Sequence, residues 1–382
     1  MLLLSGPNIA GNEWKYVKEC LDTGWVSSVG SYVTKFENMV AEYAGCKYGV
    51  ATSNGTSALH IALMLAGVEP GDLVITPNVT FIATVNSIRY AGADPILVDI
   101  DPENWQMDLN LLETWLEKET KREGNGSLLH TPSGRRIGAI MPVHVLGNMG
   151  DVDHLMRISE KFGLPIVEDS TEALGSYYKG KHAGSFGLMG CFSFNGNKII
   201  TTGGGGVIVT NNEALAKKAK HLTTQAKSDP FEYVHDEVGY NYRLVNVLAA
   251  MGVAQMELLP DFVKRKKEVD AYYRAGLNGL ADIRFQSVSA DVDPNCWLFT
   301  FRTKHQKALL KALNEQQLQS RPFWVPMNQL KMFSKDIYVT QTDQSNQVYQ
   351  ECLSIPCSTN ITKEDMDRVL QVVVEVLKGR RV

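Results

Sequence analysis

The sequence predicts an α/β fold, on three observations. Short β-branched runs alternate with amphipathic helical stretches, the rhythm of parallel strands joined by crossover helices. The acidic pair Glu168-Asp169 closes an apolar run, which places a carboxylate at the carboxyl edge of a parallel sheet, where open α/β folds bind ligands. With 382 residues the chain is longer than one average domain, so a large domain with a mainly parallel central sheet and a smaller α+β domain are expected.

Taken in order, Asn54-Gly55-Thr56-Ser57 caps a helix that runs to Ala66 and is stopped by Gly67. Gly71-Asp72 turns into a strand at 73–76, and strand-like runs follow at 96–99, 137–144 and 164–169. Pro142 should end its strand, because it has no N–H to give the ladder. Residues 117–127 are charged and glycine-bearing, which suits an exposed excursion without a catalytic role. A strand at 207–210 and a helix at 212–219 come next. A long helical pattern begins near Val245, with Pro260 expected to break or kink it. The domain boundary falls there, giving a large domain at 1–255 and a smaller C-terminal one at 256–382. The remainder holds a strand at 296–301 and a closing helix at 363–373, and no internal repeat.

Charge is nearly balanced, with 38 Lys+Arg against 42 Asp+Glu, so no basic field calls for nucleic acid or an anionic membrane. The opening Met1-Leu2-Leu3-Leu4 is too short for a signal-peptide core, and no apolar stretch approaches the ~18 residues of a membrane span. A soluble, cytoplasmic protein is expected. The six cysteines, Cys20, Cys46, Cys191, Cys296, Cys352 and Cys357, show neither Cys-x-x-Cys pairs nor zinc spacing, and read as reduced core residues. His144, His182 and His235 have no metal spacing either, so no metal is assigned.

The chemistry centres on Lys198, in Ser193-Phe194-Asn195-Gly196-Asn197-Lys198, with Gly203 to Gly206 just behind it. A free lysine, at a pKa of ~10.4, is almost wholly protonated at neutral pH, whereas covalent chemistry needs the bare amine. Pyridoxal 5'-phosphate (PLP) enzymes hold such a lysine as an imine to the cofactor aldehyde, beside a carboxylate that keeps the pyridine nitrogen protonated. Asp169 suits that carboxylate; alone it reads equally as a helix cap, and the lysine downstream tips the choice. The Gly55 and Thr56 amides open a helix and can hold a phosphate, although simple capping by Asn54 or Ser57 explains them as well. Ser193 can reach the same phosphate or bond its own turn. The glycine run lacks the Gly-Lys-Ser/Thr ending of a P-loop and reads as tight backbone. Phe81 is either core or an aromatic that stacks on a flat ring.

Together, Asn54-Gly55-Thr56-Ser57-Ala58, Glu168-Asp169-Ser170-Thr171-Glu172-Ala173-Leu174-Gly175, Ser193 to Lys198 and Gly239-Tyr240-Asn241-Tyr242-Arg243 resemble the nucleotide-sugar aminotransferases of the DegT/StrS family. The resemblance spans nearly the whole chain, from Gly11-Asn12-Glu13-Trp14 to Ile355-Pro356-Cys357-Ser358. It implies PLP-dependent fold type I, the aspartate aminotransferase fold, in a homodimer whose subunits share each site. It makes Lys198 the imine-forming base, Asp169 the partner of the pyridine nitrogen and Phe81 the stacking ring. Gly55, Thr56 and Ser193 bind the phosphate, with Asn241 reaching over from the neighbouring subunit. Glu172 stands where many relatives carry glutamine or histidine near the cofactor's phenolic oxygen; a carboxylate there repels a phenolate unless it is protonated or turned toward substrate. Keeping the lysine favours amino transfer over the dehydration run by relatives with histidine. Residues 11–17 and 195–202 look most like the legionaminic acid branch, which implies glutamate as donor and the C4 ketone of UDP-4-keto-6-deoxy-N-acetylglucosamine as acceptor. GDP-perosamine synthases are the alternative, and at Asn328 relatives often have histidine. From another class, a PLP-binding regulatory protein without transamination, or a Schiff-base lyase without PLP, are the competing readings.

Overall fold

The computed structural model describes residues 1–124, 126–229 and 231–379. Its central sheet is mixed. Strands Tyr48–Thr52, Gly206–Thr210, Met189–Ser193 and Val167–Asp169 lie side by side in that order. The parallel set Arg135–Ile140, Leu73–Pro77, Asp94–Val98 and Ile337–Val339 continues it, through parallel bridges Ile140 to Ile166 and Val143 to Asp169. Within this set Gly206–Thr210 runs against both of its neighbours. Leu73–Pro77 and Gly206–Thr210 are buried at every position, the continuous apolar habit of strands covered on both faces.

Local chemistry explains the helix ends. Asn54 caps helix Gly55–Leu65 by accepting from Ser57 N at 2.8 Å, and Gly67, at φ +84°, turns the chain out of it. Asn212 caps Glu213–Thr223 in the same way. The strand expected to reach residue 144 stops at Ile140, ahead of Pro142; the Pro142 carbonyl instead accepts from Asp169 N at 2.9 Å. The expected excursion at 117–127 contains half of a hairpin, Thr120–Arg122 paired with Leu128–His130, which extends the sheet from Arg135–Ile140. Its charges hid the pairing, and Asn125 within it lies outside the described residues.

Pro260 does not break its helix, which runs unbroken from Asn246 to Leu277. Proline removes one hydrogen bond there, while Leu259, Phe262 and Val263 beside it are buried in the core. Ala249, Val253 and Leu259 share a core with Phe36 and Phe194. Val269, Tyr273 and Leu277 belong to a second core with Phe299, Phe301, Val369 and Val373. That second core lies between the helices and a four-stranded antiparallel sheet ordered Arg284–Phe285, Phe299–Arg302, Cys352–Ile355, Arg321–Pro322. The closing helix is Lys363–Leu377. All six cysteines are free, five of them buried. Among the described residues, no helix is long and apolar enough to cross a membrane.

Candidate active site

The first turn of helix Gly55–Leu65, the segment after Met189–Ser193 and the strand Arg321–Pro322 close around a cavity of about 570 Å³. Lys198 reaches its wall from the turn in which Lys198 N donates to Asn195 O at 3.0 Å. The Lys198 Nζ lies 4.0 Å from Glu172 Oε1 and 4.0 Å from the centre of the Trp297 ring. Burial lowers the Lys198 pKa, opposed by the charges of Glu172 and Asp169. The bare amine is therefore more accessible than in a solvated lysine.

Asp169 is 2% exposed. Its Oδ2 accepts from Thr84 Oγ1 at 2.7 Å and its Oδ1 from Thr171 N at 3.2 Å. Thr171 lines the cavity and Asp169 does not. Neighbouring Glu168 serves the fold, accepting from His144 Nε2 and from the Gly184, Phe186 and Gly187 amides. His182 is likewise spent inside the protein, accepting from Gly175 N.

Glu172 accepts from Leu146 N at 2.8 Å. Burial pushes its carboxyl up to about 7, against the pull of Lys198 and with a further push from Asp169. Burial thus favours the protonated form, which lessens the repulsion expected toward a phenolate.

Gly55 and Ser193 meet across the cavity wall, and a Cβ on Gly55 would stand 2.8 Å from Ser193 Cβ. Only glycine leaves that cradle open. Thr56, Gly204 and Gly205 complete it. Helix-opening amides, a serine hydroxyl and nearby positive charge are the donor set a phosphate needs. A buried carboxylate and a lysine of lowered pKa answer the rest of PLP, so the residues present fit that cofactor. Phe81 is 54% exposed and lines the cavity, as a ring-stacking aromatic would and a core residue would not. Asn241 is exposed and does not line this chain's cavity.

Among the wall residues that went unread in the sequence are Trp297, Arg321 and Trp324. Trp297 donates from its indole to Asn197 O at 2.8 Å, and its ring stacks with Trp324 at 6.4 Å. The density of Arg321-Pro322-Phe323-Trp324 in large side chains was the available signal. Asn328 exchanges two 2.9 Å hydrogen bonds with Asn78.

Residues 7–374 match the model of the DegT/DnrJ/EryC1/StrS aminotransferase family. The GDP-perosamine synthase of Escherichia coli O157:H7 is 40% identical, covering 86% of each chain. That of Caulobacter vibrioides is 36% identical, covering 98% of each. The crystal structure of S. venezuelae DesV in complex with a ketimine intermediate superposes with a TM-score of 0.86 at 27% identity, over 97% of this chain and 95% of that one. These relatives carry no specific pointer to the legionaminic acid branch expected from residues 11–17 and 195–202. The chain belongs to the DegT/DnrJ/EryC1/StrS family of PLP-dependent sugar aminotransferases, built on fold type I.

Proposed function

We propose that this protein transfers the amino group of glutamate to the C4 ketone of a nucleotide-linked 4-keto-6-deoxy sugar, releasing 2-oxoglutarate and the 4-amino sugar. The observation that carries the reading is Lys198, an amine of lowered pKa set between Glu172 and Trp297 in the cavity wall. Bound PLP supplies the aldehyde and the electron sink. Lys198 moves the proton at the reacting carbons, Asp169 holds the proton of the ring nitrogen, and Gly55, Thr56 and Ser193 hold the phosphate. Phe81 covers the ring. Glu172, poised near neutrality, is placed to exchange a proton with Lys198 or the bound molecules.

A GDP-linked acceptor is favoured, because the relatives at 40% and 36% identity are GDP-perosamine synthases. UDP-4-keto-6-deoxy-N-acetylglucosamine, the acceptor of the legionaminic acid branch, is the second candidate. Asn241, exposed and away from its own chain's cavity, suits a phosphate contact made across a homodimer. Residues 256–382 form the smaller domain in this reading, lending Ile337–Val339 to the large sheet. The setting is the cytoplasm, where nucleotide sugars are made.

A panel of GDP-, UDP- and dTDP-linked 4-keto sugars with glutamate, read by mass spectrometry, decides the acceptor. No amino sugar from any of them would sink the reading. Failure of glutamate to yield 2-oxoglutarate from the holoprotein would favour the regulatory alternative.

A further inference from the structure

The cavity wall carries little charge. Of the residues that line it, only Lys198 and Arg321 are charged, and both are cations. No carboxylate shares the wall with Arg321, and among the described residues none pairs with it. Several other arginines are spent on acids, Arg302 on Glu351, Arg274 on Asp270 and Arg136 on Asp72, while Arg122 and Arg368 bond carbonyls away from the cavity. Arg321 makes two hydrogen bonds, both from Nη1, to Ser320 O at 3.0 Å and Asn314 Oδ1 at 3.4 Å. Among the described residues, no hydrogen bond uses its Nε or Nη2. One nitrogen steadies the guanidinium and the rest of the fork stays open.

Its backbone is placed independently of that fork. Arg321 and Pro322 pair with Ser354 and Leu353 as the edge of the small antiparallel sheet. Beside them, Phe323 and Trp324 stack with ring centres 4.9 Å apart, and Trp324 stacks on Trp297. Arg321 is itself exposed, and it shares the cavity wall with Trp297, Phe323 and Trp324.

From this geometry we infer that Arg321 is the substrate-anion residue, holding an oxyanion of the molecule that Lys198 processes. This rests on the proposed amino transfer, in which donor and acceptor occupy one cavity in turn. Both carry the chemistry an open guanidinium fork matches: glutamate a carboxylate, the nucleotide sugar a diphosphate. Arg321 is therefore a specificity-determining residue, and it takes no part in proton transfer.

The test uses binding, so that it stands apart from turnover. Holoenzyme, Arg321→Gln and Arg321→Lys are titrated calorimetrically with glutarate, a donor mimic that cannot react, and with GDP and UDP. We expect Arg321→Gln to weaken at least one ligand class by roughly tenfold or more, the usual scale of a charge-assisted pair. Arg321→Lys should recover part of the loss, since it restores charge without the fork. A loss confined to glutarate assigns the carboxylate, one confined to the nucleotides assigns the diphosphate, and a loss of both assigns a shared contact. Unchanged affinities in Arg321→Gln for both classes, with its visible cofactor band intact, overturn the inference. So does a wild-type protein that binds none of the three ligands. If wild type binds them but makes no 2-oxoglutarate from glutamate, the amino-transfer reading fails while the anion site stands.

Discussion

Lys198 Nζ and Glu172 Oε1 lie 4.0 Å apart, the carboxylate buried and the amine mostly so. Each moves the other toward charge while burial moves both toward neutrality. Lys198 lines the cavity with Glu172 behind it, and removing either partner should have a distinct signature.

Lys198→Ala should abolish amino transfer while the fold survives, because the side chain ends on the cavity wall. The holoprotein should lose its visible cofactor band, and borohydride should fix no label to the chain. A variant that keeps normal turnover would exclude Lys198 as the base.

Glu172→Gln should change how stability depends on pH. Burial raises the folded-state pKa to about 7 from 4.5, so the native state holds more protons than the unfolded chain between those values. Stability contributed by this group then falls as pH rises through that window. The amide keeps an acceptor for Leu146 N but cannot ionise. Subtracting the melting temperatures of Glu172→Gln from those of wild-type apoprotein across pH 4.5 to 7 should leave a declining difference; a flat one would place the titration elsewhere.

Gly55→Ala should weaken PLP retention, since the added Cβ would meet Ser193 Cβ at 2.8 Å and Thr171 Cγ2 at 3.3 Å. Titrating apoprotein with PLP and following the visible band measures it. An unaltered affinity would move the phosphate away from this helix terminus.

Thr84→Val deletes the 2.7 Å hydrogen bond to buried Asp169. Hydrogen bonds to charged groups are worth about 1.5–3 kcal/mol, and a loss of that order is expected in urea denaturation. Amino transfer from glutamate should also slow, because Asp169 is then held by the Thr171 amide alone. Wild-type values for both would mean that Thr84 does not position the carboxylate.

Much of this was legible in the chain because it is local. Asn54 and Asn212 cap their helices through side-chain chemistry that a few residues encode. Asp169, Lys198, Gly55 and Ser193 each carry a residue-level reason to be near a cofactor; the fold brings Lys198, Gly55 and Ser193 to one cavity wall and buries Asp169 two residues from Thr171, which lines it. What was missed depends on tertiary context. Ile337–Val339 joins the large sheet because Asp94–Val98 offers it an edge, and Asp99 secures the turn after it by accepting from Thr340, Gln344 and Ser345. Pro260 is tolerated because packing on either side outweighs one lost hydrogen bond. Arg321 reaches the cavity from the edge of a sheet formed by residues far apart in the chain, and Trp297 and Trp324 from the segments flanking its strands, so no spacing could announce them.

The helix Asn246–Leu277 is a single girder seated in two cores, with Ala249 and Val253 in one and Val269 and Tyr273 in the other. Neither lobe can melt without surrendering half of a beam that the other still needs. Heating should therefore collapse both lobes in one calorimetric endotherm, where a chain jointed by a slack tether would give two.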